Sequence, residues 1–258
     1  MLDLSDVEFS SWDKRNFIKI PKMLTSDLAE ETGLHIGDGC LITTRNMYMY
    51  SLRGHHSNDI KFYRNSVSQL YYKLYNLKSK IRFWDDVVGF QTFSKAIGTF
   101  KINTLGLPLG KKTGVSIPEI FHEKKLIPHL IRGIFDTDGC IDFEKKSREV
   151  PYYPRITICT TSKKLLEQIS YILSDVLKFN ISTWKIDSKR HEWRMSYRVC
   201  TRGEKNFNMW FKTIGSHNPK YVYKYNYWKR YGYAPVAQTA FFKKALAENQ
   251  CGKGWRSR

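Results

Sequence analysis

Thr32-Gly33-Leu34-His35-Ile36-Gly37-Asp38-Gly39-Cys40 and, one hundred residues later, Arg132-Gly133-Ile134-Phe135-Asp136-Thr137-Asp138-Gly139-Cys140 are two versions of one pattern. Each closes a stretch with apolar residues at helical spacing and runs through Asp-Gly-Cys into a strand-like segment. Gly33 and Gly133 stand at matched places inside the two helices. A glycine there costs ~1 kcal/mol against alanine, so accepting it twice implies two backbones that approach more closely than the usual ~8–10 Å between axes. Gly37 and Thr137, one turn on, extend the stripe of small residues. If the helices cross along it, Asp38 and Asp138 meet near a pseudo-twofold axis. Two adjacent carboxylates repel, and the helix C-terminal dipoles add negative potential. A divalent cation relieves both effects, and hard oxygen donors point to Mg²⁺, with Mn²⁺ a substitute. Asp38, Asp138, Gly37 and Thr137 form the candidate ligand set.

Outward from the motifs, the chain divides into a lead-in (1–24), a first half (25–110), a linker (111–122), a second half (123–220) and a basic, aromatic arm with a tail (221–258). Thr25-Ser26-Asp27 offers N-cap chemistry for the first motif helix. Cys40 to Leu52 reads as a hairpin turning near Arg45-Asn46, and Gly54 to Asp59 as a loop. Val67, Leu70, Tyr71, Leu74 and Leu77 mark a helix. A second hairpin crosses Asp85-Asp86, and Ala96, Ile97, Phe100 and Leu105 mark a closing helix. The order is helix, two strands, helix, two strands, helix. It starts again at Lys124, with Pro128 in the first helical turn, and ends at the helix of Phe207, Trp210, Phe211 and Ile214. Leu77-Lys78 and Ile81 match Leu177-Lys178 and Ile181 at the offset of 100, and Leu105-Gly106 with Lys111 matches Ile214-Gly215 with Lys220 at 109. A repeat this long fits duplication of a half-domain rather than a solenoid. Gly106 to Gly114 superficially suggests a phosphate-binding loop, but its spacing is one short and it follows a helix instead of a strand.

Composition narrows the partner. With 43 basic and 24 acidic residues the formal charge is +19, an excess that a folded body carries for a polyanion. The chain offers no apolar run long enough to span a membrane and no basic amphipathic tail. Asp3, Asp6 and Glu8 at the N-terminus do not read as a signal peptide. Five cysteines without a CxxC pair indicate neither a disulfide framework nor a zinc site. Reduced thiols fit an intracellular protein, in cytoplasm or organelle matrix.

The two stretches resemble the LAGLIDADG motif of homing endonucleases, and residues 25–232 are similar to the single-chain, two-motif members. The second copy is the closer, through Gly133, Ile134, Asp136, Asp138 and Gly139. The first keeps Gly33, Leu34, Asp38 and Gly39 but has His35, Ile36 and Gly37 where the pattern has Ile, Asp and Ala. The resemblance implies an α+β fold: two αββαββα halves, their antiparallel sheets forming a saddle over DNA, with the motif helices at the interface. It also implies a monomer that cuts both strands of a long, loosely palindromic DNA site with Mg²⁺, using Asp38 and Asp138.

Alternation on the expected strands supplies a reading surface. Arg155 and Thr157 oppose Ile156 and Ile158; Arg194, Ser196 and Arg198 oppose Met195, Tyr197 and Val199; Lys185 and Arg82 fall on comparable polar faces. Lys111 and Lys220, after the closing helices, are candidates to stabilise developing negative charge or orient water, with Lys112 a rival for the first. Two other functions share this fold: an RNA maturase assisting splicing of a host intron, and a DNA-binding regulator that does not cut. Both acids intact favour cutting. The ends, Met1-Leu2 and Ser257-Arg258, lack the terminal Cys and His-Asn of protein splicing and argue against an intein.

Overall fold

Thr25 starts the first motif helix by accepting a hydrogen bond from the Leu28 N–H on its side-chain oxygen (3.2 Å), and α2 then runs Ser26–Asp38. The computed structural model describes residues 1–44, 47–112, 114–187 and 195–234, with backbone alone for 56–58. A short α1 (Ser11–Arg15) precedes α2. Beyond α2 come β1 (Gly39–Thr44), β2 (Met47–His55), α3 (His56–Phe62), a π turn (Tyr63–Val67), α4 (Ser68–Tyr75), β3 (Arg82–Trp84), β4 (Val87–Phe93) and α5 (Lys95–Thr99) with its own π turn (Phe100–Thr104). The second half repeats this as α6 (Ile127–Asp138), β5 (Gly139–Glu144), β6 (Tyr153–Thr160), α7 (Lys163–Tyr171) with a π turn (Ile172–Val176), β7 (Ile181–Ile186), β8 (Ser196–Arg202) and α8 (Glu204–Thr213). A further helix, α9 (Pro219–Tyr231), follows.

The result is an α+β fold with two four-stranded antiparallel sheets, ordered β1-β2-β4-β3 and β5-β6-β8-β7. One face of each sheet packs on helices through Leu41, Tyr50, Leu52 and Phe90 or through Ile141, Ile156, Ile158 and Val199, all within one buried core. The other faces are open. Gly39 and Gly139 have ordinary extended backbones. Room explains them: a Cβ on Gly39 would lie 2.6 Å from the His35 Cα, and one on Gly139 2.2 Å from the Phe135 ring.

Three expectations change. No loop spans Gly54 to Asp59, because β2 runs to His55 and α3 starts at His56. The lead-in is part of the first half: the wholly buried Asp13 carboxylate accepts from the Ser94 hydroxyl (2.5 Å) and the N–H groups of Lys95 and Ala96, which begin α5. The internal repeat also slips. The second helices end on equivalent turns, Leu77 N–H to Tyr71 C=O and Phe179 N–H to Leu173 C=O. Leu77 is therefore the counterpart of Phe179, at an offset of 102, and the textual match with Leu177 is two residues out of register. At the closing helices Gly106 and Gly215, at φ 68° and 70°, are true counterparts at 109. The turn expected at Arg45-Asn46 lies outside the described residues, as does the tail beyond Ala234.

The two cores differ in kind. In the first, Lys101 and Glu31, both fully buried, form an ion pair. Glu31 also accepts from the hydroxyls of Tyr71 (2.5 Å) and Tyr75 (3.0 Å). The counterparts of Glu31 and Lys101 are Ile131 and Trp210, both buried apolar residues. Lys101→Met leaves a lone buried carboxylate and is expected to destabilise the chain by about 3–5 kcal/mol. The double variant Glu31→Leu with Lys101→Met is expected to cost less than that single change. A urea melt in which the double variant is the weaker of the two would refute this.

Candidate functional site

The site begins where α2 and α6 touch. A Cβ on Gly33 would lie 2.2 Å from the Leu130 carbonyl oxygen and 2.9 Å from the Gly133 Cα, and one on Gly133 2.2 Å from the Glu30 carbonyl oxygen. The contact is backbone on backbone, so only hydrogen fits at these positions. An ionic clamp locks the crossing at one side. The Glu30 carboxylate of α2 accepts from Arg132 Nη2 (2.6 Å) and Nε (3.1 Å) of α6, and pairs with His217 Nδ1 (2.6 Å).

The last residues of both helices, Asp38 and Asp138, arrive side by side. A Cβ on Gly37 would lie 3.4 Å from Asp138 Oδ2. Both acids are densely surrounded, yet each keeps an edge open to solvent. Burial pushes the Asp38 carboxyl up to about 7, helped by the charges of Asp138 and Asp59 and countered by Lys112 and Lys220. Burial likewise pushes Asp138 up to about 6, countered by Lys112. The Tyr63 hydroxyl, from the π turn of the first half, donates to Asp38 Oδ2 at 3.4 Å.

Of the candidate lysines, Lys112 rather than Lys111 enters this site. Lys111 is exposed, while the Lys112 ammonium donates to the carbonyls of Ile36 (3.0 Å), His35 (3.3 Å) and Gly37. It thus caps α2 and faces both acids. Lys220 sits in the first turn of α9 and reaches across the halves to Asp59 Oδ1 (2.7 Å), which Asn218 also holds (2.9 Å). The Gly37 carbonyl accepts from Lys112, and the Thr137 hydroxyl donates back to the Gly133 (3.0 Å) and Ile134 (2.9 Å) carbonyls. The charged donors at the crossing are the two carboxylates, Asp38 and Asp138. Among the described residues no three His, Cys, Asp or Glu side chains gather as a metal cage. Two adjacent, destabilised carboxylates with solvent access are an oxygen donor set that fits a hard divalent cation.

The motif's earlier acid, Asp136, is structural in its contacts. It is buried, pushed up to about 7 by that burial, and accepts from the Ser216 hydroxyl and the His217 N–H (2.8 Å). Its counterpart is Ile36. His35 is also wholly buried and stacks on Tyr50 at 5.5 Å, and neither ring nitrogen has a hydrogen-bond partner among the described residues.

The strand register sorts the candidate reading residues. Arg155, Thr157, Arg198 and Ser196 share the open face of the second sheet, and Arg82 that of the first. Lys185 pairs with Tyr197, whose face carries Thr160 and Ile158, so it lies on the helix side and not with the others. Thr157 is nearly inaccessible at 5% exposure. Arg155 is engaged by Glu144 (3.0 Å) and Asp142 (3.4 Å). Arg194 lies outside the described residues. The register adds residues that the sequence reading did not pick: Arg53, Gln91 and Trp84 in the first sheet, and Arg202 and Trp184 in the second. Strand alternation could have flagged them. Tyr63, Asp59 and Glu30 reach the site through tertiary contacts with no local signature.

Residues 127–215 match the family described as LAGLIDADG-like domain. A LAGLIDADG-like domain thus occupies the second half of the chain, and the first half repeats its order of elements around a matching helix. It is 30% identical over 208 residues to glutamine–fructose-6-phosphate aminotransferase (isomerizing) of Methanocaldococcus jannaschii, covering 78% of this chain and 17% of that protein. It is 29% identical over 192 residues to a component of the A-type ATP synthase of Pyrococcus abyssi, covering 73% and 17%. The chain thus spans about a sixth of the length of these curated relatives. Among solved structures, I-DmoI in complex with DNA and calcium aligns with a TM-score of 0.52 and 19% identity, over 78% of this chain and 97% of that one. That likeness is one of fold. No helix among the described residues is long and apolar enough to cross a membrane.

Proposed function

We propose that this LAGLIDADG protein is a site-specific endonuclease that hydrolyses a phosphodiester in each strand of duplex DNA, with a divalent cation, Mg²⁺ or Mn²⁺, held between Asp38 and Asp138. The observation that carries the reading is the pair of acids delivered to one point and pushed to about 7 and about 6. A fold that needed them only as helix ends would not bury two like charges together. A bound cation supplies positive charge against the charge developing on phosphate. The chain's own groups hold the acids: Tyr63 fixes the Asp38 carboxylate, and Lys112 sets a compensating charge against both. The structure of I-DmoI aligned above holds DNA and calcium, and the two open sheet faces here flank the acids as that fold requires. The relatives have unrelated names, yet share a segment of this chain's size. A segment recurring in unrelated proteins behaves as a transferable unit, which suits a homing role. We take the DNA site to be long and pseudo-palindromic, bound by one copy of the chain.

The experiment is selection of cleaved duplexes from a randomised library by the full chain, with Mg²⁺, with Mn²⁺ and with chelator. One motif cut on both strands in either cation, and no product with chelator, is expected. Cation-independent cutting, or none at any sequence, would overturn the proposal. Affinity for the selected site should also fall by about 10³ or more between 50 and 200 mM salt, as several phosphate contacts require. A salt-insensitive affinity would contradict it.

A further inference from the structure

We propose that the two sheets read their half-sites by different chemistry: the first mainly through thymine methyl groups around arginine-held guanine, the second through charged and hydroxyl side chains. This rests on the nuclease reading above and names the kind of DNA it selects.

The strand register puts Ile42, Met47, Met49, Val87 and Phe93 on the open face of the first sheet. None belongs to the buried core, and Met47 and Phe93 are 51% and 46% exposed. Apolar side chains held in water on one face of a strongly basic protein mark a contact surface. Its occupant is identified by continuity and charge. β1 starts at Gly39, immediately after Asp38, so the face begins at the acids themselves. The chain carries +19, which suits a duplex rather than an apolar partner. In a major groove the one apolar feature of a base edge is the thymine methyl. An apolar side chain set against any other edge would desolvate a donor or acceptor without replacing its hydrogen bond.

The arginines of this face, Arg82 and Arg53, lie in one row with Gly89 between them. Arg53 lies 4.7 Å from the Trp84 ring centroid and donates to Gln91 Oε1 at 3.1 Å. Stacked and tethered, its guanidinium loses less freedom on binding, and its fork suits guanine O6 and N7. No aspartate or glutamate stands on the described strand positions of this face.

The second sheet is the converse. Its open face carries Asp142 and Glu144 beside Arg155 and Arg202. Arg202 donates to the Ser182 hydroxyl (2.7 Å) and lies 3.5 Å from Glu144. Carboxylates among arginines can accept from cytosine amino groups, while the arginines they release turn to guanine or phosphate. Among the described strand positions of this face only Ile186, on the edge strand β7, is aliphatic, so methyl groups find little there.

Deoxyuridine deletes the thymine methyl and nothing else, so the test uses the selected duplex with every thymidine of one half-site or the other replaced. Binding by the full chain is measured. In the first sheet's half-site, each lost methyl is expected to weaken affinity about threefold to fivefold. In the other half, the whole substitution should cost less than about twofold on the same scale. Arg53→Lys keeps the charge and loses the fork. It should relax base preference at one position, in the uridine-sensitive half. Met49→Gln and Phe93→Gln, at solvent-accessible positions, should reduce the uridine effect. Equal uridine effects in both halves, a first-sheet half-site not enriched in thymine, or Arg53→Lys with unchanged preferences would each overturn this inference while the nuclease reading stands. Failure to bind any DNA would overturn both.

Discussion

Asp38→Asn is expected to reduce cleavage by roughly a thousandfold or more while DNA affinity is kept or improved, since one negative charge beside phosphate is removed. Asp138→Asn should do the same. The change also has a signature without DNA. The folded-state value of Asp38, about 7, lies above its ordinary 3.8. Between those values the folded chain holds a proton that the unfolded chain releases, so cation-free stability falls as pH rises from about 4 to about 7. By pH 8 the penalty is at most roughly 4 kcal/mol. Asn carries no such charge. With chelator, Asp38→Asn should therefore melt higher than the parent at pH 8, and the difference should shrink to less than half by pH 5. Mg²⁺ should raise the parent's Tm at pH 8 and leave the variant nearly unmoved. An offset equal at both pH values would show that the carboxylate is not destabilised as the geometry requires.

Gly33→Ala carries the second large effect. The added carbon would lie 2.2 Å from the Leu130 carbonyl oxygen, and that obstacle is backbone. Overpacking with side chains that can move costs about 1–3 kcal/mol. Here two helices must separate, and a loss of about 4 kcal/mol or more is expected, at the exceptional end for one substitution. Gly37→Ala meets the Thr137 side chain, whose hydroxyl can rotate away while its Cβ, at 2.7 Å, must shift slightly, and should cost less than Gly33→Ala. Gly114→Ala, with nothing within 4 Å and no positive φ, should be nearly neutral. If the three variants show similar midpoints in urea, the helices do not meet as described.

Much of this was legible in the sequence because the deciding features are local. Matched glycines announced a close crossing, and each Asp-Gly pair announced a helix end that delivers a carboxylate. Thr25, Pro128 and Gly106 marked helix boundaries by chemistry that belongs to single positions. What the text could not show depends on register and distance. Lys111 and Lys112 are equivalent as letters, and only the path of the linker decides which enters the site. Lys185 alternates plausibly with its neighbours, but β7 pairs so that it falls with Tyr197. The identity of Leu77-Lys78 with Leu177-Lys178 misled by two residues, because surface repeats drift while the turn that closes a helix does not. Asp59, Tyr63 and Glu30 are joined to the site by partners up to 187 positions away.

The clamp at Glu30 also makes the halves unlike partners. The positions equivalent to Glu30 and Arg132 are Leu130 and Thr32. A pairing of two first halves would confront glutamates with no cation to receive them, and a pairing of two second halves would strand arginines against leucines. Were the polypeptide divided in the linker, each piece would gain by choosing the other over its own kind. Mismatched charge at the seam therefore acts as a lock against self-association of either half.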